Sequence, residues 1–231
     1  FWIKGVVIMR ILITGAAGTV GRILTIGLLP MHSIKGLDIE NMPLLDDSII
    51  GDISDLNTVI KASRHMDAII HLSTAKPSQK QWEETFDVSF RGTYNVFEAA
   101  RQNNVPRVVY ASRAGVVDAY PYNVKRTTQL YPIPGSFYTL SKIFAEGLAR
   151  IYSDKHGIET VGIRKGNIKP HRPYPEDHPK HLSHEDCVRV FERALTQPGI
   201  NWELVYGVSN SNVELYDVEH GHKAIGYFPQ D

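Results

Sequence analysis

The run Thr14-Gly15-Ala16-Ala17-Gly18-Thr19-Val20-Gly21 follows five residues, 10–14, whose apolar and β-branched side chains predict a strand. It leads directly into residues 18–29, whose periodicity predicts a helix. Glycines also serve ordinary turns, so the context matters: a strand before and a helix after make this a dinucleotide fingerprint. Gly15 permits the tight turn, Gly18 admits close approach of a pyrophosphate, and Gly21 lets helix and strand pack together. Ala17, Thr19 and Val20 complete the turn, and the helix N-terminus presents free N–H groups to the negative charge.

Outward from this turn, short β-rich runs alternate with longer amphipathic stretches. That pattern predicts an α/β chain with a Rossmann-type, doubly wound parallel sheet. Further strands are predicted at 34–38, 68–72, 107–111, 160–164 and 204–206, and further helices at 55–63, 79–103, 136–156 and 183–196. Ser183-x-x-Asp186 is a capping-box variant with aspartate in place of the usual Glu or Gln, and Gly157 suits the left-handed end of the preceding helix. Pro170, Pro173, Pro175 and Pro179 exclude regular helix and central strand from 167–182, which is read as a loop over the carboxyl ends of the strands. Residues 1–166 are read as mainly the dinucleotide-binding domain. Residues 167–231 form a small substrate-binding cap, interleaved with the same core.

At 231 residues the chain holds one full α/β core and a small appendage. Lys+Arg and Asp+Glu both total 25, so net charge recruits neither nucleic acid nor a membrane surface, and the expected partner is a small molecule. A single cysteine, Cys187, excludes an intramolecular disulfide framework and fits a reducing, cytoplasmic setting. No apolar run approaches the roughly 20 residues of a membrane span. The apolar start, residues 1–8, lacks a small-residue cleavage site and is read as an extension ahead of the domain.

Asp38 closes the second predicted strand. A carboxylate there accepts hydrogen bonds from ribose hydroxyls and repels a 2′-phosphate, predicting NAD rather than NADP; the plain alternative is a turn cap. Arg22 and Lys35 are the cations that oppose the NAD assignment. Farther on, Tyr138-Thr139-Leu140-Ser141-Lys142 sets a phenol and an ammonium four residues apart on one helical face. A free phenol, with a pKa of about 10, is a poor base at neutral pH, and a fixed cation beside it stabilises the phenolate. Tyr138 is therefore the candidate base and Lys142 its tuner.

The Gly-x-x-Gly-x-x-Gly spacing resembles the short-chain dehydrogenase/reductase superfamily. Residues 92–101 and Val108-Val109-Tyr110-Ala111-Ser112 resemble its extended branch, the NAD-dependent epimerase/dehydratase family. Tyr138 to Arg150, Glu159-Thr160, Arg164-Lys165-Gly166-Asn167, 182–186, 205–210 and 226–231 resemble uronate dehydrogenases across almost the whole chain. The resemblance implies oxidation of the anomeric centre of a hexuronic acid to a lactone. It places Asp52 and Ile53 at the adenine, Leu72, Ser73 and Thr74 at the cofactor's sugars, and Ser112 beside the substrate hydroxyl. It also implies a homodimer paired through the 79–103 and 136–156 helices.

Departures concentrate at the substrate end. Ser112-Arg113 stands where two serines are usual, Ala114-Gly115 replaces polar side chains, and Ser89 replaces an asparagine. Either Ser112 does the work of the second serine, or Arg113 binds an anionic substrate, or activity is weakened; a solvated surface charge is the plain alternative for Arg113. Thr74, Arg113, Asn167 and Arg172 are the candidate substrate contacts, Arg172 being nearest in kind to the carboxylate-binding arginine of the family. His178, His181, His184 and Cys187 recur every three residues, but Pro179 prevents one helix from presenting all four, and no metal is expected. The leading reading is an NAD-dependent sugar or sugar-acid dehydrogenase. A nucleotide-sugar epimerase or dehydratase has only the 67 residues after Arg164 for its cap. A non-catalytic NAD sensor has the intact Tyr138/Lys142 pair against it.

Overall fold

The computed structural model describes residues 8–75, 81–169 and 178–231. Its strands are β1 (Arg10–Thr14), β2 (Ser33–Asp38), β3 (Ser48–Ile50), β4 (Ala68–His71), β5 (Arg107–Arg113), β6 (Glu159–Lys165) and β7 (Trp202–Gly207). All pair in parallel, in the order β3-β2-β1-β4-β5-β6-β7. Strand order reverses between β1 and β4, where a sheet of this kind opens a crevice at its carboxyl edge. The near-continuous apolar character of the strands follows from their cover. Val109 and Ile163 pack under α1 (Thr19–Leu28) and α6 (His184–Thr196). Val108 and Tyr110 pack on the other face, under α2 (Leu56–Ala62), α4 (Gly92–Gln102) and α5 (Phe137–His156). Residues after 166 add α6 and β7 to this same sheet and core.

Two short elements lay beneath the sequence signal. β3 has three residues, two of them exposed, and α7 (Val218–Ile225) is two turns capped by Asp217, whose Oδ1 accepts from His220 N at 3.2 Å. The helix predicted over 79–103 is not continuous. Its described part runs as α3 (Trp82–Thr85), a π-helical segment (Phe86–Arg91) and α4. The wider winding turns Val88 to the cavity described below and Ser89 to the segment after β4. The predicted loop over 167–182 lies in part outside the described residues, and Arg172 with it.

Caps follow the sequence with one difference. Gly157 has φ +68° and ends α5. Ser183 Oγ accepts from Asp186 N at 2.9 Å, which is half of the capping box. The shorter aspartate does not reach back. Its carboxylate accepts instead from Ser209 Oγ at 2.6 Å, Gln230 N at 2.9 Å and Asp231 N at 3.2 Å, and it pairs with Arg189. Asp186, in the first turn of α6, thus ties down the segment after β7 and residues 230–231.

His71, buried at the end of β4, provides a direct test of the packing. Thr93 donates its hydroxyl hydrogen to Ser89 O at 2.7 Å, so it accepts from His71 Nε2 at 3.1 Å, and Nδ1 accepts from Thr14 at 2.8 Å. Burial, reinforced by Lys142, pushes the imidazole pKa down to about 3. A histidine that stays neutral in the fold but takes a proton in the unfolded chain costs stability as pH falls below its unfolded pKa of about 6.5. The expected slope from this residue is roughly 1.4 kcal/mol per pH unit between the two pKa values. Urea unfolding at several pH values should show that His71→Gln flattens the acid limb; equal slopes in both proteins would refute the assignment.

Candidate active site

The carboxyl edge of the sheet holds a cavity of about 530 Å³, within the range of small-molecule sites. Its first wall is the glycine turn. Gly15 has φ +76° and donates N–H to Leu37 O at 2.9 Å. A Cβ on Gly21 would lie 2.3 Å from Gly15 O and 2.6 Å from Ala16 backbone atoms, so only glycine allows α1 to start this close to β1. Gly21→Ala is accordingly expected to cost roughly 1–3 kcal/mol of stability by overpacking and to weaken dinucleotide binding, read from melting temperature and NADH fluorescence titration.

Every residue assigned to the cofactor from the sequence lines this one cavity: Gly15, Ala17, Gly18, Thr19, Val20, Gly21, Asp38, Asp52, Ile53, Leu72, Ser73, Thr74, Tyr138 and Lys142. Asp38 caps a turn at the wall of this cavity. Its Oδ2 accepts from Ala17 N at 2.9 Å and its Oδ1 from Glu40 N at 3.1 Å, so the carboxylate caps a turn and is thereby fixed at the cavity wall. Asp52 is fixed in the same manner by Ser54 N at 2.8 Å. The segment after β4 is held by Ser89 Oγ, which accepts from Ala75 N at 2.8 Å and stands 3.2 Å from Thr74 Oγ1.

The far wall comes from β5, β6 and α5. Ser136 Oγ accepts from Thr139 N at 3.1 Å and caps α5, setting Tyr138 in its first turn and Lys142 one turn on. Lys142 Nζ lies 5.4 Å from the centre of the Tyr138 ring. Burial, then Lys165 and Arg113, lowers the Lys142 pKa to about 7. Burial raises Tyr138 above the ordinary phenol value, and Arg113 opposes that rise. Lys142 is itself desolvated and crowded by two other cations, and Arg113, with its guanidinium carbon 5.5 Å from the ring centre, is the charge that lowers Tyr138.

Ser112 lines the cavity, and its hydroxyl donates to Glu146 Oε1 at 2.6 Å, leaving acceptor lone pairs for the cavity. Glu146 is buried in a bidentate pair with Arg164, at 2.9 Å and 2.8 Å, and Arg164 reaches Tyr206 Oη at 3.4 Å. Sequence reasoning did not find this network, although Glu146 lies two turns beyond Tyr138 on the helix and Arg164 follows the apolar run Val161-Gly162-Ile163 of β6. Of the candidate substrate residues, Thr74 lines the cavity and Arg113 stands against Tyr138. Asn167 is exposed, its backbone bonded to Lys180 and Leu182, and the neighbouring Ile168 lines the cavity in its place. Arg172 lies outside the described residues.

Among the described residues no group of three His, Cys, Asp or Glu side chains could hold a metal ion. Cys187 is buried, its thiol pushed up to about 12 by burial, and His184 Nε2 meets Lys169 O at 2.8 Å. No described helix is long and apolar enough to cross a membrane.

A parallel sheet with a glycine turn at its first strand, and a tyrosine–lysine pair in the same cavity, define a dinucleotide-dependent enzyme. The chain belongs to the NAD dependent epimerase/dehydratase family, whose model matches residues 11–201, and it is an NAD-dependent oxidoreductase. It is 34% identical over 227 residues to uronate dehydrogenase from Pseudomonas syringae pv. tomato, covering 96% of this chain and 82% of the relative. It is 30% identical over 247 residues to NAD-dependent glucose-6-phosphate dehydrogenase from Haloferax volcanii, covering 96% and 93%. A solved uronate dehydrogenase from Agrobacterium tumefaciens, a tyrosine-to-alanine mutant complexed with NAD, superposes with a TM-score of 0.88 at 30% identity, covering 97% of this chain and 86% of that one.

Proposed function

We propose that the protein oxidises a sugar or sugar acid at its anomeric carbon to a lactone, with Tyr138 as base. The observation that carries this reading is the single cavity that joins the glycine turn and Asp38 at one end to Tyr138, Lys142 and Ser112 at the other. The glycines, closed to any Cβ at Gly21, fit a dinucleotide's pyrophosphate, and Asp38 fits the ribose hydroxyls. The names of the relatives, a uronate dehydrogenase and a sugar-phosphate dehydrogenase, support a sugar substrate.

When bound, NAD supplies the hydride acceptor. The chain's own residues handle the proton. Ser112 Oγ orients the substrate by turning its hydrogen from Glu146 to the substrate oxygen, which leaves the substrate's own hydroxyl hydrogen for Tyr138. Tyr138 Oη takes that proton as the carbon–oxygen double bond forms and hydride leaves the same carbon. Lys142 and Arg113 stabilise the phenolate that accepts this proton, against the burial that opposes it. The test is NADH formation, followed by absorbance, with a panel of uronic acids, neutral aldoses and sugar phosphates. Turnover of at least one supports the reading; tight NAD binding with turnover of none overturns it.

A further inference from the structure

Charge is divided along the cavity. Its acidic side chains, Asp38, Glu40 and Asp52, follow β2 and β3, whereas its lysines, Lys142 and Lys165, gather where β5 and β6 end, beside Arg113. Among the described residues none of these three cations has a carboxylate partner. Arg113 reaches only Thr139 Oγ1, at 3.5 Å, and the Tyr138 ring, and Lys165 Nζ reaches only Gly166 O, at 3.5 Å. Every other partly or fully buried arginine of β5 and β6 is paired: Arg107 with Glu159 and Arg164 with Glu146. Three like charges around a desolvated pocket repel one another, and Lys142 and Lys165 are both held below the ordinary lysine value, by burial first and then by neighbouring cations.

The backbone is shaped to keep them there. Arg113 and Lys165 are register partners on adjacent parallel strands, so their side chains leave the same face of the sheet, two residues beyond Ala111 and Ile163 of the core on that face. The guanidinium of Arg113 rests on Gly115. A Cβ there would lie 2.5 Å from Nη2, 2.6 Å from Nε and 2.8 Å from Cζ. The two departures noted in the sequence, arginine at 113 and glycine at 115, therefore meet in space: the guanidinium beside Tyr138 lies where a side chain at 115 would begin.

We propose that Arg113 and Lys165 bind an anionic group of the substrate, a carboxylate or a phosphate carried by the sugar, at the Tyr138 end of the cavity. The proposal rests on the dehydrogenase reading above for the identity of the ligand as a sugar. The guanidinium fork matches two oxygens of either anion, the ammonium adds a point charge, and the bound anion offsets the repulsion among the three cations. Holding the sugar by its charged end also orients its hydroxyl to Tyr138 and Ser112.

The test is calorimetric titration of the NADH-loaded protein with D-glucuronate, glucose 6-phosphate, inorganic phosphate and, as neutral control, glucose. At least one anionic probe should bind more tightly than glucose, and Arg113→Gln and Lys165→Met should each weaken that probe by about 10–100-fold, with Arg113→Lys between parent and Arg113→Gln. Glucuronate alone would assign a carboxylate; glucose 6-phosphate and inorganic phosphate would assign a phosphate. Melting temperatures show whether each variant folds, and Lys165→Met with Arg113→Lys decides the matter should Arg113→Gln not fold. Anions bound no better than glucose, or as tightly by the variants as by the parent, would overturn the proposal. That result is separable from failure of the dehydrogenase reading, which is the absence of NADH formation from every sugar in the turnover panel.

Discussion

Tyr138→Phe is expected to lower kcat by roughly 10²–10⁴-fold, the range spanned by general acid–base catalysis, while NAD still binds. The substitution removes one oxygen from a ring whose place is set by the Ser136 cap of α5 and by the cations beside its face. Among the described residues no other side chain at this end of the cavity replaces that oxygen as a proton acceptor; the carboxylates Asp38, Glu40 and Asp52 line its other end. Ser112 has its hydrogen on Glu146, His71 is turned to Thr14 and Thr93, and Lys142 is a cation or a neutral amine with no better place for the transfer. The measurement pairs steady-state NADH formation with fluorescence titration of NADH. A variant that turns over at the parent's rate would remove Tyr138 as base and leave the dinucleotide site intact. Lys142→Met should differ in kind, because the lysine lies against the Tyr138 ring and also lines the cofactor cavity, so kcat and NAD affinity should fall together.

Much of this site was legible because it is local in sequence. The glycine turn, Asp38 and the Tyr138/Lys142 pair each depend on a strand end or one helical turn, and each lies in the cavity. Six of the seven described strands could be read for the same reason, since strands covered on both faces are continuous apolar runs. What escaped was set by contacts distant in the chain. β3 is three residues held by pairing to β2, and the π-helical turn at 86–91 carries no composition signal of its own. The seating of Arg113 on Gly115, and the counterion that Glu146 gives Arg164, become visible only when β5, β6 and α5 are brought together. At the substrate end the sequence left alternatives for Arg113, and its place beside Tyr138 with no carboxylate partner among the described residues favours the anion-binding one.

The Glu146–Arg164 pair should be the most expensive single contact to break. Arg164 is 2% exposed and Glu146 9%, and two hydrogen bonds join them. Burial disfavours the Arg164 cation, but the hydrogen bonds and charge of Glu146 more than offset it and hold its pKa above the ordinary value. Glu146→Gln leaves that cation buried with a neutral amide. The expected loss is about 3–5 kcal/mol of unfolding free energy, measured by urea denaturation. Much of this is the cost of the uncompensated charge rather than the worth of the pair, so Glu146→Leu combined with Arg164→Met should recover a large part of the stability. Activity should not recover with it. Glu146→Leu removes the acceptor of the Ser112 hydroxyl, whereas the amide oxygen of Glu146→Gln can still accept from it, so kcat should stay low in the double variant even when it is as stable as the parent. Single variants that lose under about 1 kcal/mol would show that water or a rotated side chain satisfies Arg164. A stable double variant with full activity would show that Ser112 needs no fixed orientation for the reaction.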